Sequence, residues 1–298
     1  KEITNLIDNF LIEKNSFVFE SVEKGKIKGR YTIFGKNPDK IWEFNNNNSY
    51  LIKNKKKIRL KDKPAELIES IIEEFRFKTP SNLPPISSLI SGYFSYDSIR
   101  YIENIPNTCK NDLGLPDVRL MRPKIIIIHD NLKKKIFFIA NIFKDEKITN
   151  YKKKYLEIKS ELSELLSQSS ENKIVNSQVS EINNVNVKSN TSKSRFLKIV
   201  NKAKKYIKLG DIFQVVLSQR FEANLNKNPL DIYKKLRIKN PSPFMYFFNF
   251  NDFQIIGASP EILVRLRNNK ITIRPIAGTR PRGNSFKQDK YYENDLLK

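Results

Sequence analysis

The stretch that decides the fold is residues 244–274, FMYFFNFNDFQIIGASPEILVRLRNNKITIR. Four apolar runs follow one another there at intervals too short for a helix, and each predicts a β-strand: 244–250, 254–258, 262–267 and 270–274. Asn268 and Asn269 separate the last two runs, and asparagine accepts the positive φ that a tight hairpin turn requires. Strands joined by such short connections lie antiparallel, so this stretch predicts antiparallel β-sheet.

The rest of the chain adds strands and helices in an irregular order. Short apolar alternations bounded by Gly, Pro and Asn predict further strands at 17–21, 30–34, 41–44, 124–130, 135–143 and 211–221. Apolar residues at helical spacing predict helices at 64–77, 146–166 and 229–238, one that begins at Arg195 and ends at Gly210, and one that begins at Lys287. We therefore predict an α+β fold of mainly antiparallel β-sheets flanked by helices.

Local composition and predicted secondary structure divide the chain into three regions. Residues 1–150 are rich in predicted strands, and residues 151–194 pass from a polar helix into a Ser- and Asn-rich stretch that predicts a flexible connector. Residues 195–298 form the third region, which carries the motifs described below. The first residue is Lys1 rather than Met, and Lys298 lies inside a charged helical pattern, so we expect both ends to be cut.

Composition excludes several classes of protein. The chain has 298 residues, of which 39% are hydrophobic and 29% charged, a balance typical of soluble globular proteins. Its one cysteine, Cys109, excludes a disulfide scaffold or a thiolate zinc cluster built from this chain alone, and its one histidine, His129, excludes a histidine dyad. No apolar run approaches the ~20 residues of a membrane helix, and the N-terminus has no secretory signal. These features predict a cytoplasmic protein without a membrane partner.

The net charge of +23 leaves a nucleic-acid-binding module as one alternative. The basic residues are scattered, however, and no zinc-finger, helix-turn-helix or RNA-binding motif accompanies them. Lys, Asn and Ile crowd the whole sequence, as an AT-rich genome would encode. The charge fits a protein that works on a small anionic substrate equally well, and we expect no nucleic-acid partner.

Three motifs after position 210 resemble the chorismate-utilising enzymes, and within them the anthranilate synthase component I branch: residues 211–220 (DIFQVVLSQR), 257–261 (GASPE) and 274–283 (RPIAGTRPRG). Four earlier segments are similar to the same family: 19–21 (FES), 30–35 (RYTIFG), 92–97 (GYFSYD) and 240–245 (NPSPFM). The resemblance implies the fold of this family, here incomplete. It also implies conversion of chorismate and ammonia to anthranilate and pyruvate, a lyase reaction of tryptophan biosynthesis.

The resemblance assigns catalytic and substrate-binding roles. Glu261 matches the candidate general acid that protonates the leaving C4 hydroxyl of chorismate, although a surface carboxylate at a turn is the alternative. A general acid must hold its proton near neutral pH, which requires burial or a nearby negative charge. Gly278, Thr279 and Gln214 are the residues predicted to bind chorismate. At the first two, a glycine N–H can approach an anion closely and a hydroxyl donates a second bond.

Two positions separate the branches of the family. Gln214 occupies the place of the lysine that activates water in the hydroxylating branch, and an amide cannot act as a base near neutral pH. Ala277 occupies the place of the lysine that attacks chorismate in many aminodeoxychorismate synthases, and an alanine methyl cannot be a nucleophile. Both residues favour direct attack of ammonia, although some members of the aminodeoxychorismate branch also lack the lysine, so that folate-pathway activity stays open as an alternative.

The resemblance also implies a feedback site, a metal and a partner. Ser21, Pro243, Phe244 and Met245 match the pocket for the inhibitor L-tryptophan, with core packing of the aromatic strand as the alternative. Mg²⁺ is the implied cofactor, and its ligands are expected in a C-terminal part beyond Lys298. A glutamine amidotransferase subunit (component II) is the implied source of ammonia. We therefore expect this fragment alone to make no anthranilate.

Overall fold

A computed structural model of the chain describes residues 7–8, 10–11, 13–23, 26–27, 29–76, 78–170, 185–224, 227–276 and 278–297. Its strands are β1 (Ser16–Glu20), β2 (Val22–Glu23), β3 (Lys26–Ile27), β4 (Tyr31–Asn45), β5 (Asn48–Lys53), β6 (Lys56–Leu60), β7 (Ser91–Phe94), β8 (Val118–Asp130), β9 (Lys135–Ala140), β10 (Val187–Ser189), β11 (Phe221–Ala223), β12 (Phe244–Asn249), β13 (Gln254–Ser259), β14 (Ile262–Arg267) and β15 (Lys270–Arg274). Its α-helices are α1 (Pro64–Glu74), α2 (Tyr151–Ser170), α3 (Lys193–Leu209), α4 (Pro229–Lys239) and α5 (Phe286–Leu296), and a 3₁₀-helix spans Tyr96–Tyr101.

Two long strands, β4 and β8, form the centre of a nine-stranded antiparallel sheet. The outer edge of β8 pairs with β7 and β9. The outer edge of β4 pairs with β1 and β5, and β1 continues the sheet to β12 and β13. The predicted fold class, α+β with mainly antiparallel sheets, is confirmed. Segment 244–258, far along the chain, thus joins the sheet through β1.

A bend interrupts the central pair where Pro38 of β4 faces Pro123 of β8. Proline has no N–H to donate to a ladder, so it is tolerated inside a sheet at a bulge. The register shifts between Pro38 and Lys40 accordingly. This explains why the sequence predicts two strands, 30–34 and 41–44, where the structure has one strand that is bent in the middle.

The core lies on both faces of β8. Ile125, Ile126, Ile127 and Ile128 are each at most 1% exposed, which fits a strand with a layer packed on either side. Ile126 and Ile128 pack with Ile139 of β9. This run has no polar alternation because neither face of the strand meets water.

The helices agree with the sequence prediction, whereas one long strand does not. Gly210 ends α3 in the left-handed conformation, with φ of 79°, as predicted. The predicted strand at 211–221 is wrong, because only Phe221–Ala223 is extended in a ladder there. Phe213 and Val216 are 94% and 84% exposed, so the apolar residues that suggested a buried strand have no sheet to pack against among the described residues.

The chain divides into two compact units, which differ from the three predicted regions. One unit comprises Lys1–Lys173 and Tyr233–Lys298 and holds the nine-stranded sheet, and the other comprises Ile174–Ile232 and holds α3 and the β10–β11 ladder. The three-region division stays a prediction about function. Residues 171–184 of the predicted connector lie outside the described residues.

The hairpin of β14 and β15 forms as predicted, with Asn268 and Asn269 at φ of 50° and 58°. Its apolar side chains are open to solvent on both strands, and they include Leu263, Val264, Leu266, Ile271 and Ile273. In the part of the chain that the structure describes, no helix is both long and apolar enough to cross a membrane.

Candidate functional site

The end of β1 lies next to the start of β12. Glu20, the last residue of β1, pairs with Met245 of β12, and the N–H of Val22 donates to the carbonyl of Ser242 over 2.9 Å. Ser21 lies between these two points, so its position along β12 is fixed from both sides. The structure therefore brings together the four residues predicted for an inhibitor site: Ser21, Pro243, Phe244 and Met245.

The four residues differ in what they offer to a ligand. Phe244 is 39% exposed, and Ser21 and Pro243 are partly buried. Met245 is 1% exposed because alternate residues of β12 face the core. Of Phe244 and Met245, only Phe244 has its side chain at the surface. The ligand contact predicted for Met245 stays a prediction.

Gly29 lies directly against Ser21. A methyl group added at Gly29 would lie 2.5 Å from Cβ of Ser21 and 3.3 Å from its hydroxyl oxygen. Such an approach is far inside van der Waals contact, so residue 29 has to lack a side chain while Ser21 holds its present position. Gly29 thus packs closely against Ser21, a contact that the motifs did not predict.

A buried carboxylate lies immediately before Ser21. The side chain of Glu20 is fully buried, and its Oε1 accepts hydrogen bonds from the Tyr233 hydroxyl at 2.5 Å and from Nε of Arg237 at 2.8 Å. Burial raises the pKa of the Tyr233 hydroxyl, and the Glu20 carboxylate raises it further, so this group donates at physiological pH. We call Glu20, Tyr233 and Arg237 the Glu20 clamp.

Sequence reasoning missed the Glu20 clamp, although signals for it exist. Glu20 is an acidic residue at the end of an apolar strand, where a buried charge needs a partner. Tyr233 and Arg237 are four residues apart on a predicted helix, and this spacing places them on one face. What the sequence does not reveal is that α4 lies against β1.

Glu261, the predicted general acid, lies in the short connection between β13 and β14 and is exposed. Its backbone is held by Ser259, whose hydroxyl donates to the Glu261 carbonyl and accepts from the Glu261 N–H, both at 3.4 Å. Ser259 in turn pairs with Phe244 across the β12–β13 ladder. The protein itself therefore supplies no burial for this carboxyl among the described residues, and its catalytic role stays a prediction.

Gly278 and Thr279 lie at the same open end of the β14–β15 hairpin as Glu261. Ile262 pairs with Arg274, and Gly278 follows four residues after Arg274, within about 14 Å at full extension. Both residues are exposed. Glu261 directly precedes β14 and Gly278 follows β15, so both are close in sequence to the open end of the hairpin, and their joint role at a substrate site stays a prediction.

The loop that carries these two residues is tied to α5. Arg280 bonds to Asp295 over 2.5 Å, and Arg282 bonds to Asp289 over 2.8 Å. The N–H of Gly283 also donates to Asp289, and this bond, with Arg282, keeps the pKa of the Asp289 carboxyl below its usual range. Two of the arginines near the predicted substrate site are therefore paired with protein carboxylates.

Gln214 and Ala277 are not placed at a site by the described structure. Gln214 is exposed in the irregular segment after α3, inside the unit Ile174–Ile232, and is not on a strand as predicted. Ala277 lies outside the described residues. Their roles in separating the branches of the family stay predictions.

A wide polar cleft of about 990 Å³ lies elsewhere, along β4 and β8. Its inner wall includes Arg119, which is 6% exposed and bonds to Glu43 at 2.5 Å and to Asp252. The Arg119 guanidinium keeps the pKa of the Asp252 carboxyl below its usual range. None of the predicted site residues lines this cleft. The buried guanidinium of Arg119 is already paired with the carboxylates of Glu43 and Asp252.

A family model described as chorismate binding enzyme matches residues 17–298. The chain belongs to this family. The assignment that the motifs suggested is therefore confirmed, and a nucleic-acid-binding module is not favoured.

Relatives in the chorismate-binding family extend beyond the matched part. The chain is 38% identical over 289 residues to anthranilate synthase component 1 of Cereibacter sphaeroides, covering 95% of this chain and 58% of that protein. It is 40% identical over 286 residues to the protein of the same name in Acetivibrio thermocellus, covering 94% and 58%. The chain thus spans somewhat more than half the length of these relatives.

A solved structure has the same fold. The crystal structure of anthranilate synthase component I from Streptococcus pneumoniae matches with a TM-score of 0.74 and 29% identity, covering 93% of this chain and 59% of that one. The predicted fold of the chorismate-utilising enzymes is confirmed by this match.

The contact between Gly29 and Ser21 is testable by a double-mutant cycle. We expect Gly29→Ala to lower the free energy of unfolding by about 1–3 kcal/mol, since the new methyl group overpacks against Ser21. The same change should cost clearly less in a Ser21→Gly background, which lacks the opposing Cβ. Urea unfolding followed by the emission of Trp42, the one tryptophan of the chain, measures all four proteins. Equal costs in both backgrounds would show that the two residues do not contact each other.

Proposed function

We propose that the protein that carries this chain is the chorismate-aminating component of an anthranilate synthase, a lyase that forms anthranilate and pyruvate. The observation that carries the proposal is the family match over residues 17–298 together with 38–40% identity to two proteins named anthranilate synthase component 1. The motifs that distinguish the branches of the family point the same way. Gln214 and Ala277 stand where other branches use lysine.

The proposed reaction needs one proton donor at the leaving group. Ammonia adds through its lone pair at C2 of chorismate while the C4 hydroxyl departs as water, and Glu261 gives the proton that this water carries away. The ammonium group formed at C2 gives up one proton, which balances the proton that Glu261 donated. The ring then loses its C2 proton as the bond between C3 and the enolpyruvyl oxygen breaks, and the enolpyruvyl group takes up one proton at its CH2 carbon and leaves as pyruvate, which gives the aromatic ring of anthranilate. A positioned general acid is typically worth ~10²–10⁴ in rate.

The position of Glu261 supports this role in two respects. The residue is accessible, so a substrate can reach its carboxyl, and it shares the open end of the β14–β15 hairpin with Gly278 and Thr279. Chorismate carries two carboxylates, and a bound dianion favours a carboxyl group that keeps its proton. The burial that the protein does not supply is thus replaced by negative charge from the substrate.

Ammonia and magnesium complete the proposal. We expect a glutamine amidotransferase subunit to deliver ammonia, since the relatives are named as one component of a synthase. Among the described residues, no group of three acidic, histidine or cysteine side chains lies together in a way that could hold a metal ion. The magnesium predicted from the family resemblance is therefore not assigned to any residue of this chain.

Complementation separates the proposed function from its nearest alternative. The full open reading frame that encodes this chain should rescue a bacterial strain that needs tryptophan because it lacks anthranilate synthase. It should not rescue a strain that needs 4-aminobenzoate. Glu261→Gln should lower anthranilate formation in extracts by ~10²–10⁴-fold, whereas Glu103→Gln, at another exposed glutamate, should leave it unchanged. Rescue of only the 4-aminobenzoate strain would assign the protein to the folate branch, and rescue of neither by the expressed protein would refute the proposal.

We further propose that L-tryptophan binds at the junction of β1 and β12 and inhibits the enzyme. In this proposal the Ser21 hydroxyl bonds the charged amino-acid head, and the ring of Phe244, which is 39% exposed, makes apolar contact with the indole. Core packing, the alternative for this segment, describes Met245 better than Phe244.

Ser21→Ala should raise the tryptophan inhibition constant about tenfold, through the loss of one charge-assisted hydrogen bond. The change is measured as inhibition by L-tryptophan of anthranilate formation, with the full-length protein as the enzyme. Ser163→Ala, at an exposed serine of α2, is the matched control and should leave inhibition as it is. Undiminished inhibition of the Ser21→Ala protein would remove Ser21 from the inhibitor site.

A further inference from the structure

The Glu20 clamp is an expensive arrangement for a protein of this size. Removing a carboxylate from water costs several kcal/mol unless hydrogen bonds and an opposite charge replace the lost hydration. Glu20 is fully buried, and its Oε1 has both replacements, a hydroxyl from Tyr233 and a guanidinium from Arg237, whereas its buried Oε2 has no hydrogen-bond partner among the described residues. A buried apolar residue would satisfy the fold at lower cost, so the clamp points to a requirement for fixed geometry.

The geometry that the clamp fixes is that of Ser21. Glu20 and Ser21 are adjacent, so the clamp restrains the chain at the residue that directly precedes Ser21. β1 ends at Glu20, and beyond it one backbone hydrogen bond, from the Val22 N–H to the Ser242 carbonyl, ties the chain to the segment before β12. The clamp acts at the last position where the backbone is still anchored before Ser21.

Both partners of Glu20 come from one rigid element. Tyr233 and Arg237 project from the same face of α4, and the Tyr233 ring packs on Phe247 of β12 with centroids 5.7 Å apart. Phe247 is on the same strand as Phe244. Helix α4 therefore contacts both strands that meet at Ser21, through the clamp on β1 and through the aromatic pair on β12.

We propose that Tyr233 and Arg237 are positioning residues for the inhibitor site, which hold Glu20 and thereby fix Ser21 beside Phe244. The proposal rests on the proposed function, because it concerns the response to the same ligand. Neither residue touches the ligand in this account. They determine how well the Ser21 hydroxyl is pre-organised, and so how strongly tryptophan inhibits.

The test uses Tyr233→Phe, which removes one hydroxyl and keeps the ring on Phe247. In the full-length product, we expect the tryptophan inhibition constant to rise about threefold to tenfold, more than any change in KM for chorismate. Arg237→Lys, which keeps the charge but loses the planar guanidinium, should have an effect in the same direction. If Arg237→Lys does not yield folded protein, Tyr233→Phe alone decides the outcome.

Lys234→Gln is the matched control. Lys234 lies next to Tyr233 on α4, its side chain is 8% exposed, and it forms an ion pair with Asp8, away from Ser21. If α4 acts only by stabilising the fold, Lys234→Gln should weaken inhibition as much as Tyr233→Phe does. We expect Lys234→Gln to lower the melting temperature without raising the tryptophan inhibition constant as much as Tyr233→Phe does.

A second cycle shows whether the clamp acts through Ser21. In a Ser21→Ala background, Tyr233→Phe should change the inhibition constant by less than twofold, since the hydroxyl that it positions is gone. Equal effects of Tyr233→Phe in both backgrounds, or none in the wild type, would overturn the positioning role while the inhibitor site stands. A wild-type enzyme that tryptophan does not inhibit would overturn the inhibitor site, and the positioning role with it.

Discussion

The antiparallel pairing of β4 with β8 is the constraint on which the other elements depend. β8 is buried on both faces, so each of its backbone N–H and C=O groups needs a partner within the sheet. β4 supplies the partners along one edge, and β7 with β9 supplies them along the other. Because β4 is longer than its outer neighbours, it has room for β1 as well as β5. The residues predicted for the inhibitor site, at the end of β1 and the start of β12, are in turn placed by this arrangement.

The two parts of the candidate site differ in how firmly the protein holds them. Ser21 and Phe244 adjoin the nine-stranded sheet and are fixed by ladder hydrogen bonds, a buried charge network and the close approach of Gly29. Glu261, Gly278 and Thr279 lie at the end of an exposed two-stranded hairpin. The direct link between the two parts is the β12–β13 ladder, where Phe244 pairs with Ser259, two residues before Glu261.

Much of the fold was predictable because its signals are local. The turn at Asn268 and Asn269, the end of α3 at Gly210 and the buried isoleucine run of β8 each follow from residue chemistry within a few positions. The failures arise where distant residues decide. The stretch 211–221 has the composition of a buried strand, yet the described structure offers it no neighbouring strand before Phe221. The Glu20 clamp joins residues more than two hundred positions apart, so no pattern of neighbouring residues predicts their contact.

The most direct test of this account is amide hydrogen–deuterium exchange of the full-length product with and without L-tryptophan. The account predicts that saturating tryptophan slows exchange in peptides that cover Ser21 and in those that cover residues 242–247, with little change in β8, whose amides are already protected. Protection that appears only in other parts of the chain, or no protection at all, would contradict the placement of the inhibitor site at the junction of β1 and β12.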